Sequence, residues 1–351
     1  MSAPTEDRAT LERARALCDV GRYAEAESMA RSVLAGRPDD ASVLSLLALA
    51  ELKQNKHSPA LHSARAAIAA DPENDWPHRL AALSLHRMGR YAEAAQHARQ
   101  AMSLAPNTAY GYILLALALS AGGMDPAEAA DAADRAVTLA PHLADAHLAV
   151  GDVALAASRL DDAEDSFRRA LDIDPENAAA HNELARVQLK RRRFGHASGL
   201  ARATTGLATA IRLDPQSEVS RRNLDIALNL FMARAAAGIM LVAFVASHGL
   251  FAQAKYVAAL LLLIPVGLAV RFVLGLPPTL RRYLWLQVRR PLVGSAAALD
   301  VIAVGLLVAG SFAPGNRSPY IFLGSWIVAG AAILLWSRSR KLLKNRGKAK
   351  S

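Results

Sequence analysis

The chain has 351 residues, 53% of them hydrophobic but only 5% aromatic, a balance that favours Ala- and Leu-rich helix over sheet. Its formal charge of +10 is uneven: from Phe231 onward fifteen Lys and Arg face one acid, Asp300, while the first 230 residues are net −4. A mildly acidic part joined to a basic apolar part does not gather its cations on a folded surface as nucleic-acid binding requires, and the single cysteine, Cys18, excludes a disulfide framework or a thiolate metal site.

The N-terminal stretch carries acids early and lacks an apolar core of signal-peptide length, so the first part of the chain is expected in the cytoplasm. Self-similarity then sets in. Pro38, Pro72, Pro106, Pro141, Pro175 and Pro215 are spaced by 34, 34, 35, 34 and 40 residues, each following an Ala- or Leu-rich helical stretch. Within each period a Gly or polar residue closes one helix, as in GRYAEA at 21–26 and 89–94 and SRLDDA at 158–163. A small residue then recurs where two helices cross, at Ala26, Ala60, Ala94, Ala129, Ala163 and Ala197, and again at Ala67, Ala101, Ala136, Ala170 and Ala210. The register slips by one residue near Gly122 and Gly123 and by six within 199–209, and 218–229 reads as an amphipathic closing helix.

On these residues the chain, over about 7 to 217, resembles the tetratricopeptide repeat family, whose unit is a 34-residue helix–turn–helix. The resemblance implies an all-α superhelix of about six hairpins, whose first helices line a groove that binds a protein or peptide, with no cofactor and no catalysis. By the family's pattern the groove-facing residues are Trp76, Arg79, His86 and Arg87 in the third unit and Tyr110 and Ile113 in the fourth. Asp145, Leu148 and Asp152 follow in the fifth, and Asn182, Arg186 and Lys190 in the sixth. Some relatives grip a C-terminal carboxylate with a Lys and an Asn on the first helix; here those positions are Leu11 and Arg15, which disfavours that use.

After Arg234 long uncharged runs begin, and they predict a four-helix transmembrane domain over 231–337, with spans at about 235–252, 256–274, 292–313 and 320–337. Eleven basic residues in the 279–291 loop and the 338–351 tail, against two in the other loops, place that loop, the tail and the N-terminal array (1–230) on the cytoplasmic side. The loop and tail are also candidates for contact with anionic lipid. Asp300, Arg271 and His248 are the polar residues expected within the spans.

No phosphate loop, nucleophile elbow or helical metal-ligand pair appears in the repeat part, so neither an enzyme nor a metal site is expected. The resulting expectation is a multi-pass membrane-anchored scaffold that captures a cytoplasmic protein or peptide. A small transporter or channel-like bundle regulated by the repeats is the alternative.

Overall fold

A computed structural model describes residues 3–191, 197–215, 217–247 and 291–312, and beyond these 321, 325, 327–335 and 338. Every described element is helical: α1 (Ala3–Asp19), α2 (Tyr23–Gly36), α3 (Ala41–Lys53), α4 (His57–Ala70), α5 (Asp75–Arg87) and α6 (Tyr91–Leu104). Then come α7 (Ala109–Gly122), α8 (Pro126–Leu139), α9 (Ala144–Ala156), α10 (Leu160–Ile173), α11 (Ala178–Lys190), α12 (Ala197–Leu213), α13 (Glu218–Ser247) and α14 (Pro291–Phe312). Two compact units divide between Glu183 and Leu184.

In the first unit the hairpins follow the repeat. Each proline falls in the turn after a second helix, where its missing N–H and fixed φ end the helix. Asp40 and Asn74 cap the helices that follow, Asp40 by accepting from the backbone N–H of Ser42 and Val43 at 3.0 and 3.2 Å, Asn74 from that of Trp76 at 3.0 Å. Inside each hairpin the turn needs one left-handed residue. Gly21, Gly89 and Gly123 supply it with φ of 76°, 75° and 63°, and Asn55 and Ser158 are forced into the same region at 60° and 61°.

The recurrent alanines explain the close packing. Ala26, Ala60, Ala94, Ala129, Ala163 and their partners Ala67, Ala101, Ala136 and Ala170 are all buried to 1% or less, where any larger side chain would push the two helices apart. Gly151 of α9 goes further, because a Cβ there would lie 2.3 Å from Cε1 of Phe167, the fully buried ring that α10 lays across it. The first helices of successive hairpins, α1, α3, α5, α7 and α9, touch one another as well as their own second helices. A row whose members meet directly is the shorter path round the stack, so these helices form its inner, concave layer.

Charge pairs link the outer helices. Arg65 of α4 approaches Glu93 of α6 to 3.6 Å, and Arg99 of α6 holds Glu128 of α8 through two bonds of 2.8 and 2.6 Å. Arg31 occupies the same repeat position on α2, yet it turns inward to Glu51, a buried carboxylate that also accepts from Ser63 Oγ at 2.8 Å. Burial pushes the Glu51 carboxyl upward, against the opposing bond from Ser63 and the charge of Arg31.

In the second unit α12 and α13 pack through Ala203, Leu207, Leu224 and Leu228, with Ala185 of α11 in the same cluster. α12, with 17 residues, is three longer than the 14-residue second helices before it and takes up half of the six-residue slip in the register. Residues 218–229, expected as a closing helix, are helical, and the helix runs on without a break to Ser247.

The expected membrane domain is corrected. Among the described residues no helix is long and apolar enough to cross a membrane, which overturns the multi-pass localisation. The first expected span is the far end of α13, whose opening turns carry Glu218, Arg221, Arg222 and Asp225. Its apolar part, from 235 to 247, rises about 20 Å, less than a hydrocarbon core of about 30 Å. In α14, Asp300 divides the helix into two apolar halves, each shorter still. The span at 256–274, residues 279–290 of the loop, His248, Arg271 and the 339–351 part of the tail lie outside the described residues. Asp300 itself is buried at 8% exposure, and nearby Ala296 and Ala332 pack with Ala233 of α13.

Candidate functional site

The inner layer brings α5 and α7 side by side, and there the third and fourth hairpins share a cluster. Asn74 fixes the start of α5, which sets Asp75 and Trp76 on its first turn and Arg79 one turn on. Arg79 Nε lies 2.8 Å from Asp75 Oδ2, an ion pair in contact but without the alignment of a directed hydrogen bond. The guanidinium lies over the ring of Tyr110 on α7, 5.3 Å from its centre. Carboxylate and ring hold the cation in one place with a quarter of its side chain still open, while Tyr110 is 45% exposed. Trp76, Leu83 and Leu117, on the same two helices, lie half-buried against the core. An apolar shelf carrying an oriented cation and an open phenol is suited to hold a peptide by stacking and charge.

At the far end of α5, His86 meets the Tyr91 ring edge-on with centres 5.3 Å apart. Burial, helped by the neighbouring charge of Arg87, pushes its pKa down to about 4, so the ring is neutral near pH 7. Arg87 itself is exposed. Asp145 opens α9 and is exposed too, yet desolvation by surrounding protein raises its pKa, with the Asp174 charge adding and a bond from Asn177 and the charge of Lys53 opposing. Lys53, at the end of α3, is close enough to act on it.

The sequence-derived set therefore splits. Trp76, Arg79 and Tyr110 come together, and Arg87 and Asp145 remain accessible on the same unit. Ile113, Leu148 and Asn182 are buried at 4%, 8% and 4%, and offer little surface to a partner. His86 is enclosed against Tyr91, and Asp152 is half-buried. Arg186, half-buried, and Lys190, exposed, belong to the second unit. Leu11 packs into the first hairpin's core while Arg15 is exposed.

Two devices escaped the sequence reading. Six residues after a repeat proline, a side chain turns back to donate to that proline's carbonyl: Tyr112 Oη to Pro106 at 3.2 Å, His147 Nε2 to Pro141 at 2.8 Å and His181 Nε2 to Pro175 at 3.0 Å. Arg221 does the same to Pro215. The common offset was the available signal. His78 holds that offset after Pro72 but instead brings its Nδ1 to 3.2 Å from Nδ1 of His97 on α6. Among the described residues no group of three or more His, Cys, Asp or Glu side chains gathers to hold a metal.

Family models give the architecture its name. Two models described as tetratricopeptide repeat match residues 123–178 and 154–208, and one described as anaphase-promoting complex, cyclosome, subunit 3 matches residues 19–101. The array is a tetratricopeptide repeat domain. Among solved structures it is similar to TTC0263, a thermophilic tetratricopeptide repeat protein of Thermus thermophilus, at 21% identity and a TM-score of 0.47, over 52% of this chain and 99% of that one. It is also similar to the APC/C hetero-tetramer Cut9–Hcn1, at 16% identity and a TM-score of 0.51, over 63% of this chain and 43% of that one. PilF of Pseudomonas aeruginosa matches at 18% identity and a TM-score of 0.45, over 63% of this chain and 97% of PilF. At these identities the likeness shows the fold alone. No curated protein sequence matches this chain. Tetratricopeptide repeat proteins mediate protein–protein interaction and are generally not enzymes.

Proposed function

We propose that this chain is a protein-interaction scaffold whose inner face, centred on Trp76, Arg79 and Tyr110, binds a protein or peptide segment. The observation that carries this reading is the Asp75–Arg79–Tyr110 cluster on two adjacent inner helices, where a cation is oriented but left a quarter open on helices that also carry half-buried apolar side chains. Oriented Arg and aromatic side chains of this kind supply most of the affinity at interfaces. Arg87 and Lys53 add positive charge along the face and Asp145 a negative one, so a bound segment is read by charge order as well as by its apolar anchors.

A photo-reactive amino acid placed at position 110 tests this in cells producing the full chain. Cross-linking to a discrete partner is expected there, absent when the probe is at outer-face position 96, and reduced at least ten-fold by Trp76→Ala. Equal cross-linking from positions 96 and 110, or no loss with Trp76→Ala in a folded protein, would refute the assignment.

A further inference from the structure

His78 departs from a rule that the chain follows on α7, α9 and α11. At the same repeat offset Tyr112, His147 and His181 each donate to a proline carbonyl six residues back. His78 leaves the equivalent carbonyl of Pro72 and points across the hairpin, so that two imidazole nitrogens from antiparallel helices face each other at 3.2 Å with their rings tilted by 44°. Two nitrogen ligands of a tetrahedral zinc ion, each about 2.05 Å from the metal, stand about 3.3 Å apart. The separation in the protein is already that of a bidentate pair.

The surroundings keep both nitrogens usable. Desolvation lowers the pKa of His78 against the opposing charge of Asp75. It lowers that of His97 too, with the charges of His78 and Arg65 adding and that of Glu93 opposing. Both rings are consequently neutral near pH 7, the form in which imidazole binds a metal. His78 is buried at 8% exposure while His97 is half-buried, so the pair is anchored from below and open at one side. The nearby carboxylates are engaged elsewhere, Glu93 by Arg90 at 2.5 Å and Asp75 by Arg79 at 2.8 Å. They contribute charge rather than bonds, which leaves the remaining coordination positions of an ion to solvent.

We propose that His78 and His97 form a two-histidine site for a divalent transition-metal ion such as zinc, which would tie α5 to α6 directly beneath the Trp76–Arg79 face. A metal bound there joins the two helices by a coordinate link in addition to their packing, and so stiffens the wall that carries Arg79. The site is distinct from the peptide-binding reading and stands or falls without it.

The test titrates zinc into the full chain, stripped of metal, and compares it with His97→Gln, the substitution at the more accessible partner, after circular dichroism has shown an unchanged helical content. The difference isolates this pair from the chain's other histidines. The expected result is one zinc fewer per chain in the variant, together with zinc-dependent slowing of amide exchange in α5 and α6 of the unaltered protein only. His78→Gln should repeat the loss. Equal zinc uptake by the unaltered chain and His97→Gln, or exchange in α5 and α6 that zinc leaves unchanged, would overturn the proposal and leave the pair as a plain N–H···N hydrogen bond.

Discussion

Replacing Gly151 by Ala sets two ordinary effects against each other, and the geometry decides the sign. In an exposed mid-helix position this change gains about 1 kcal/mol from helix propensity. Here the added methyl would fall 2.3, 2.6 and 2.8 Å from Cε1, Cδ1 and Cζ of Phe167. That ring has no room to yield, because it is fully buried between α9 and α10. Overpacking of a rigid core costs typically 1–3 kcal/mol, about one to three times the propensity gain, and with three ring atoms inside contact distance the upper part of that range applies. The net loss of about 1–2 kcal/mol corresponds to a drop of roughly 2–8 °C in melting temperature for a unit of this size. Thermal and urea denaturation followed by far-ultraviolet circular dichroism measure it. The cause is separable from a general helix effect by a double-mutant cycle: Phe167→Leu in the Gly151→Ala background should restore part of the loss, giving a coupling of at least about 0.5 kcal/mol. A more stable Gly151→Ala protein, or strictly additive effects of the two changes, would refute the packing argument.

Ser158 holds a left-handed backbone at φ 61°, so Ser158→Gly should raise the urea midpoint by the equivalent of about 1 kcal/mol, more than Asn55→Gly, since Asn tolerates this region better. No change at Ser158 would mean that the turn relaxes without strain. His86, with its pKa pushed down to about 4, is protonated more readily in the unfolded chain, whose histidine pKa is about 6.5. The stability it contributes is therefore complete above pH 6.5 and is lost as pH falls toward 4, by up to about 3 kcal/mol. Unfolding free energies at pH 7.5 and pH 4.5 should differ less in His86→Gln than in the unaltered protein, and identical pH dependence would contradict the burial argument. Trp76→Ala should lower cross-linking from position 110 while leaving the melting temperature within a few degrees, because that indole is only half-buried.

Much of the array is legible in the sequence because its determinants are local. The prolines that end second helices, the left-handed residue of each hairpin turn and the alanine at each crossing act within one unit, and each recurs at its offset. The same locality misleads when the environment differs between copies. Arg79, Ile113, Leu148 and Asn182 all lie seven residues after a repeat proline, yet Arg79 reaches across the inner face to Tyr110 of the next first helix while the other three are buried. Ile113 and Leu148 are short and apolar enough to turn into the core, and the pattern of a single unit does not register that choice.

Apolar runs misled in another way. A run of uncharged residues reports composition, whereas a membrane crossing needs that run carried in one helix of sufficient length, and the first turns of α13 are charged. By itself, then, the sequence determined the period, the helix ends and the small residues at the crossings, since each depends on backbone geometry within a few residues. Only the tertiary structure decided which equivalent positions stay exposed, that Phe167 fills the space Gly151 leaves, and that His78 meets His97 nineteen residues away. Those outcomes depend on how closely neighbouring helices approach, and that distance is set by side chains on both at once.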